Sequence, residues 1–598
     1  MKRKFYFYLA AVATMSLTLA ACSKDDTTTN TGVKFGDKAY AKVALKMAGG
    51  TRATGLAGYL AGTADESTIT NLTIMLTDEN KNVVGIGTYN TFAYSATDSD
   101  VEHSYEDLII PIMMTPGNAT PEKLYAFVNM DAEFSAEKDI LDAETGKLNF
   151  NICEKGKFMM TNSGYYGTDW VVGVELPADA LQDTEAAAEK ADAVEINVER
   201  LAARVQVAQA ANAPAETKAI FKSVDNQEYT IEFKAKKWGV TGIANSMYLF
   251  KQAYKDAETL PSTYSWTWAD GTNRSFWAKG VYYNNSYSDY TTDAANNGML
   301  TYLSASQLIA TTAENAYAMS ESFTAANAVY VPEHTFGTAA QIGLDEEDPD
   351  LVGKFAPKFT GTDVIVVGKY EISGASDAAT RFKGDGDNEF DFYLSLKAKD
   401  TQANQYVYTI YSKNDLIDRL FEVCNIKVAK SSGAEQPDAI TASDYFGLEK
   451  GEAGYKLTYK GEGATALYKY NDTSKVYDTL LAQEDLTATV NAAHYYNGWA
   501  YFMAPIEHNL SDTNFNESTV GSYGVVRNHA YQLTINKYEG LGAPLDESKI
   551  GPDPENHPEN NPQPEPPIIP DPTEQKESYI NATLNVLGWH LVGQDVNF

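Results

Sequence analysis

Tyr579–Phe598 reads YINATLNVLGWHLVGQDVNF, and its first half alternates strictly: Ile580, Ala582, Leu584 and Val586 are apolar, with Tyr579, Asn581, Thr583 and Asn585 between them. A two-residue period is that of a strand with one buried face. The phase slips at Leu587, after which Leu587, Trp589 and Leu591 carry the apolar face, so a bulge is expected near Gly588. Residues 549–578, just before it, hold nine of the 21 prolines of the chain among Asp, Glu, Asn and Gln. Such a tract favours polyproline II and cannot pair as a central strand. It cuts the terminal strand off from its own core and leaves an apolar strand on a stiff arm in want of a groove.

A second strand of the same kind lies near the other end. Ala39, Ala41, Val43, Leu45 and Met47 alternate with Tyr40, Lys42, Ala44 and Lys46. It runs into Gly49-Gly50-Thr51-Arg52-Ala53-Thr54-Gly55, a small, flexible stretch of the composition that proteases cut, with one basic residue at Arg52. Before it, Lys2, Arg3 and Lys4, then the apolar run Phe5–Leu19, form a signal peptide over residues 1–21. Leu19-Ala20-Ala21-Cys22 resembles a bacterial lipobox, which makes Cys22 the lipidated residue. Beyond the signal peptide no apolar run approaches a membrane span, so contact with a membrane is expected only through that lipid.

Between these ends the sequence reads as strand after strand. The 598 residues exceed one core, and 43% hydrophobic residues with 39 Tyr and 24 Phe favour sheets with many loops over helical bundles. Leu72–Leu76, Val83–Ile86, Leu108–Met114, Leu124–Val128 and Val194–Val207 predict a first β domain over 53–211, with short helices at 136–143 and 178–191. Val364–Tyr370, Phe390–Leu396, Tyr406–Tyr411, Gly498–Phe502 and Tyr531–Ile535 predict a second over 212–548, long enough to need insertions, with helices near 304–319 and 414–430. The formal charge is −34; past residue 52 it is −40, from 38 Lys and Arg against 78 Asp and Glu. No basic stripe offsets it, which excludes nucleic acid.

Catalytic and metal motifs are missing. The seven histidines show no HExxH spacing, and there is no Walker A, dinucleotide fingerprint or GxSxG. Asp385, Asp387, Glu389 and Asp391 alternate as calcium ligands do, but Phe390 stands at the glycine position and Leu396 at the closing Glu, which favours an acidic hairpin loop over a weak surface Ca²⁺ site. Asp345–Asp348 reads as another acidic loop. Tyr282-Tyr283 and Tyr495-Tyr496 suit either sugar stacking or an ordinary strand surface. With three cysteines there is no disulfide framework, and Cys153 and Cys424 are either free thiols or one bridge. No cofactor, metal site or enzymatic activity is expected.

Several stretches resemble the fimbrillins of the Bacteroidales, most closely the major subunit of their short (minor) fimbriae. They are Leu124–Asn129 (LYAFVN), Lys157–Ser163 (KFMMTNS), Val198–Val207 (VERLAARVQV), Tyr330–His334 (YVPEH) and Gly524–Ile535 (GVVRNHAYQLTI), followed by the proline-rich linker and Leu587-Gly588-Trp589, all in the family's order. The sequence departs at Gly588, a proline position in the family. The resemblance implies an all-β chain of two transthyretin-like β-sandwich domains, with minor helices and a C-terminal donor strand (579–598) on the linker 549–578. It implies a surface lipoprotein, and Ser23-Lys24-Asp25-Asp26 resembles the export signal of Bacteroidetes lipoproteins. An arginine-specific protease would cut Arg52–Ala53, removing the propeptide 22–52 with its first strand. The C-terminal strand of a neighbouring subunit (Ile580, Ala582, Leu584, Val586, Trp589, Leu591) would then take the place of Ala39, Ala41, Val43, Leu45 and Met47. The implied partners are further copies of the chain, accessory anchor and tip subunits, and a host protein or glycan; the location is a fimbrium, with the precursor on the outer membrane. The alternative within the same system is a tip adhesin or glycan-binding surface lipoprotein.

Overall fold

The computed structural model describes residues 38–545 and 579–590 apart from internal segments, the longest being 48–58, 93–104, 131–146, 253–264, 284–298, 309–319, 336–361 and 509–523. The signal peptide, Cys22, Arg52, Ala53, the acidic loop 345–348, the linker 549–578, Leu591 and the helix expected at 136–143 lie outside the described residues, as does most of 304–319.

The chain is all-β. In the first domain the strands are β1 (Lys38–Met47), β3 (Leu72–Thr77), β4 (Val83–Tyr89), β5 (Tyr105–Met114), β6 (Lys123–Val128), β7 (Met160–Asn162), β8 (Leu181–Gln182) and β9 (Val194–Arg200). Hydrogen bonding runs β7-β9-β1-β5-β4-β3-β6, and β7 pairs with β6 as well, so the path closes on itself. Inside it lie Ile74, Leu76, Ile110, Ile112, Leu124, Ala126 and Ile196, all fully buried. Each is the inward member of an alternating strand. A further short strand, β2 (Tyr59–Ala61), and the single turn of helix α1 (Ala64–Ser67) stand between β1 and β3.

Only Leu201 separates β9 from β10 (Ala202–Gln209), yet β10 belongs to the second domain. It pairs with β13 (Val329–Pro332) and β19 (His529–Glu539), so the passage between domains falls near 201, ten residues ahead of the expected boundary. An unbroken alternating run hides a strand that changes sheets, because neither half needs a turn residue. The facing sheet holds β11 (Ala219–Lys222), β12 (Glu228–Thr241), β14 (Asp363–Ser373), β15 (Phe392–Asp400), β16 (Gln405–Tyr411), β17 (Ala493–Tyr495) and β18 (Trp499–Pro505). Ala203, Val205, Val207, Tyr531, Leu533 and Ile535 pack against Ile231, Phe233, Val364, Val366 and Phe502, the shared core of a sandwich.

The expected insertion spans 412–492, between β16 and β17. Helix α2 (Lys413–Cys424) and two three-stranded sheets enclose a core of their own around Leu416, Leu420, Phe446, Leu457 and Leu467. Ser412 caps the helix, its hydroxyl accepting from the Asp415 amide at 3.2 Å. The helix stops six residues short of the expected Lys430 because Asn425 takes the left-handed conformation, φ 52°. Cys424 is a free, half-buried thiol.

Candidate assembly site

β1 is an interior strand. It lies antiparallel to β5, from Lys38 opposite Met113 to Leu45 opposite Tyr105, and parallel to β9, from Val43 opposite Val194 to Met47 opposite Val198. β8 continues the second edge, with Tyr40 opposite Gln182 and Ala41 opposite Leu181. Ala39, Ala41 and Val43 are 0% exposed, whereas Tyr40 and Lys42 are half-buried, as the alternation requires. The period slips at Ala44, also buried, where the register against β5 shifts between Val43 and Leu45. Leu45 and Met47 follow in the ladder with side chains outside the described residues.

Taking β1 away would leave β5 and β9 facing each other across one vacant strand position, about 9.5 Å apart at two strand spacings. Leu108, Ile110 and Ile112 would line one wall and Val194, Ile196 and Val198 the other, all buried at present. Both walls would present unpaired backbone groups, which burial does not tolerate without a replacement.

The C-terminal strand, β20 (Tyr579–His590), is not isolated from its own core. It pairs antiparallel with β19 from Tyr579–Glu539 to Gly588–His529. A linker of thirty residues is long enough to let the strand after it return. The register sets Ile580, Ala582, Leu584 and Val586 opposite Tyr538, Ile535, Leu533 and Tyr531, each of which is buried in the second core. The one irregularity lies in β19, between Ile535 and Lys537, and not at Gly588. The slip at Leu587 has another cause: Leu587 stands opposite Ala530, which packs into the first-domain core, so the apolar face changes where the sheet reaches the other domain. At its far end β20 also pairs with β2, in parallel, with Tyr59, Leu60 and Ala61 opposite Gly588, Trp589 and His590.

Within the chain, then, β1 and β20 occupy two different sheets. Between them sits a polar junction that sequence reasoning missed. Glu66 of α1 is 1% exposed; its carboxylate accepts from Arg204 Nη1 at 3.2 Å, from the Thr63 amide at 2.6 Å and from the Tyr330 hydroxyl. Arg200 Nε donates to the Glu66 carbonyl at 2.9 Å. Burial pulls the Arg200 guanidinium down to about 9, the Glu66 carboxylate working against it. The spacing Thr63-x-x-Glu66 is a helix-start signal that would have found α1; nothing in three residues could have found β2.

The remaining candidate sites are structural. Asp385 accepts from the Tyr496 hydroxyl and Asn497, and Asp391 from His494 and the Asn497 amide, so these carboxylates hold a turn. Among the described residues no group of three or more His, Cys, Asp or Glu is arranged for a metal ion. Tyr283 and Tyr495 are buried, whereas Tyr282 and Tyr496 are half-buried. No helix among the described residues is long and apolar enough to cross a membrane.

Two family models match the sequence. Major fimbrial subunit protein (FimA) covers residues 39–200, beginning within β1, and Major fimbrial subunit protein type IV, Fimbrillin, C-terminal covers residues 493–595, from β17 through β20. Among solved structures, a candidate cell adhesion protein from Parabacteroides distasonis aligns at 11% identity over 92% of this chain and 98% of its own, with a TM-score of 0.34. A fimbrial assembly protein from the same organism aligns at 11% identity over 55% and 96%, TM-score 0.22. The tip fimbrial protein from Porphyromonas gingivalis with C-terminal truncation aligns at 10% identity over 63% and 99%, TM-score 0.24. No curated protein matches the sequence.

Proposed function

We propose that this chain, matched over 39–200 and 493–595 by family models of fimbrial subunits, is a fimbrillin: a non-enzymatic stalk subunit of a cell-surface fimbrium, of the short-fimbria type, polymerised by strand exchange. It is exported as a lipoprotein on Cys22, held at the outer membrane, and cut between Arg52 and Ala53 by an arginine-specific protease. β1 then leaves the first sheet, and the C-terminal strand of the next subunit takes its place in a transthyretin-like sandwich. Accessory anchor and tip subunits end the polymer, which serves adhesion to a host protein or glycan.

The observation that carries this reading is the position of β1, paired on both edges inside a closed sheet. Its loss would open a groove between two strand edges whose backbone groups then lack partners. Main-chain hydrogen bonds would give the incoming strand affinity and the alternate side chains would give it register. Burying Ile580, Leu584 and Val586 stabilises by roughly 1.5–3 kcal/mol each. Departure from β19 offsets part of that, so the vacant sheet position supplies the drive. A fully polyproline II tract from 552 to 572 would span about 65 Å at ~3.1 Å per residue, enough to cross a domain. Carrying both a removable strand and a strand to give favours a stalk subunit over a tip.

N-terminal sequencing of fimbriae sheared from cells tests the reading: it should begin at Ala53, and an Arg52→Ala precursor should accumulate uncut and monomeric. Polymers that begin at Cys22 would overturn it.

A further inference from the structure

The two strands that hold β20 differ in kind. β19 covers ten residues of it, whereas β2 holds only Gly588, Trp589 and His590. β2 is also the first described element after Arg52, and eleven residues, 48–58, separate it in sequence from β1. Five residues beyond Ala61, Glu66 is fixed by Arg204, Tyr330 and the Thr63 amide. A single stretch of chain therefore joins the strand that fills the first sheet to the strand that grips the end of the C-terminal strand. A three-residue parallel ladder is marginal alone. Anchors on both sides lower the entropy cost of placing it. β1 anchors the chain eleven residues before β2 through pairing on two edges, and Glu66 anchors it five residues after.

We propose that β2 is a latch on the C-terminal strand, and that cleavage between Arg52 and Ala53 opens it. The cut turns the segment before β2 into a free end, the short ladder loosens, and the tip of β20 begins to peel from β19. Opening the acceptor groove and releasing the donor strand then become one event. An uncut precursor presents neither, which prevents it from joining or capping a growing fibre. This inference rests on the strand-exchange reading and adds to it a coupling between the two ends of the chain.

Hydrogen exchange on the full-length precursor tests the latch. The uncut protein is compared with protein nicked at Arg52 and kept dilute, β1 still seated, so that no polymer forms. Amides of 586–590 should exchange severalfold faster after nicking, while those of β14 stay unchanged. The uncut double variant Tyr59→Pro/Leu60→Pro, which removes ladder donors whichever register they serve, should show the same acceleration. If that variant fails to fold, lengthening 48–58 with a flexible Gly-Ser insert should give a partial acceleration in uncut protein. Unchanged exchange at 586–590 after nicking, with polymerisation still abolished by deleting 579–598, sinks the latch and leaves strand exchange standing. Polymerisation that survives the deletion sinks strand exchange, and the coupling with it.

Discussion

Asp363 and His334 are two buried titratable side chains whose effects on stability run in opposite directions. Asp363 is 1% exposed and its Oδ2 has no hydrogen-bond partner among the described residues. Burial pushes its carboxyl well above the ordinary 3.8. As pH rises past 3.8 the unfolded chain ionises there while the folded chain keeps its proton, so stability falls by up to about 1.4 kcal/mol per pH unit across the window. Asp363→Asn removes the titration. Its unfolding midpoint relative to wild type should climb as pH rises above 4, whatever constant offset the substitution carries; an offset independent of pH would refute this. His334, 0% exposed with Nδ1 3.3 Å from the Thr362 hydroxyl, is pulled by burial from 6.5 down to about 3. Below 6.5 the unfolded chain takes up a proton that the folded chain refuses, so stability falls as pH falls. His334→Gln should flatten the acid limb of the stability curve between pH 6.5 and 3.

Strands, at the scale of the element, were legible in the sequence, but their partners were not. Alternation in Ala39–Val43 and Ile580–Val586 tells which face is buried; it carries no information on which sheet does the burying. Hence β1 was recognisable as a strand with one buried face, whereas β20 was expected to stand apart and instead lies on β19. The run from Val194 to Val207 shows the same limit: its apolar period is continuous, yet the chain changes sheets at Leu201. Glu66 and its arginines were invisible because their pairing spans more than 130 residues. The pairing of β20 with β19 changes what deletion of 579–598 should do. In the uncut precursor it should lower the unfolding midpoint by exposing the edge beside Tyr531, Leu533 and Ile535, without dissolving the first sheet. A synthetic 579–598 peptide should bind cut protein freed of β1 and ignore the uncut precursor; equal binding to both would refute a vacated groove. Leu584→Asp, which puts a charge in an apolar site, should weaken that peptide by several kcal/mol. Asn585→Asp, on the other face, should matter far less.

Considered whole, the subunit behaves as one body because the second domain reaches into the core of the first. Residues 247–251 follow β12, and Met247, Leu249 and Phe250 are buried among first-domain side chains, Phe250 edge-on to Tyr125 and Phe127 at 5.4 and 5.6 Å. Lys251 and Glu199, both side chains 0% exposed, pair at 3.2 Å. Arg527, next to β19, donates to the Leu249 and Tyr248 carbonyls at 2.9 and 2.6 Å, and to both oxygens of buried Glu333 at 3.0 and 3.1 Å. The second domain thus grips by its own arginine the segment it has lent to the first. Such a seam should make the domains melt together. Phe250→Ala should cost about 3–5 kcal/mol, as large aromatic truncations do. Arg527→Met, which strands Glu333 as an unpaired buried charge, should cost about 3–5 kcal/mol as well. Under a shared transition each variant lowers the stability of both domains, and hydrogen exchange at β3 in the first and β14 in the second should accelerate by the same factor. Acceleration at β3 alone in Phe250→Ala, with β14 still protected, would mean that the domains unfold separately and that the seam is only a contact.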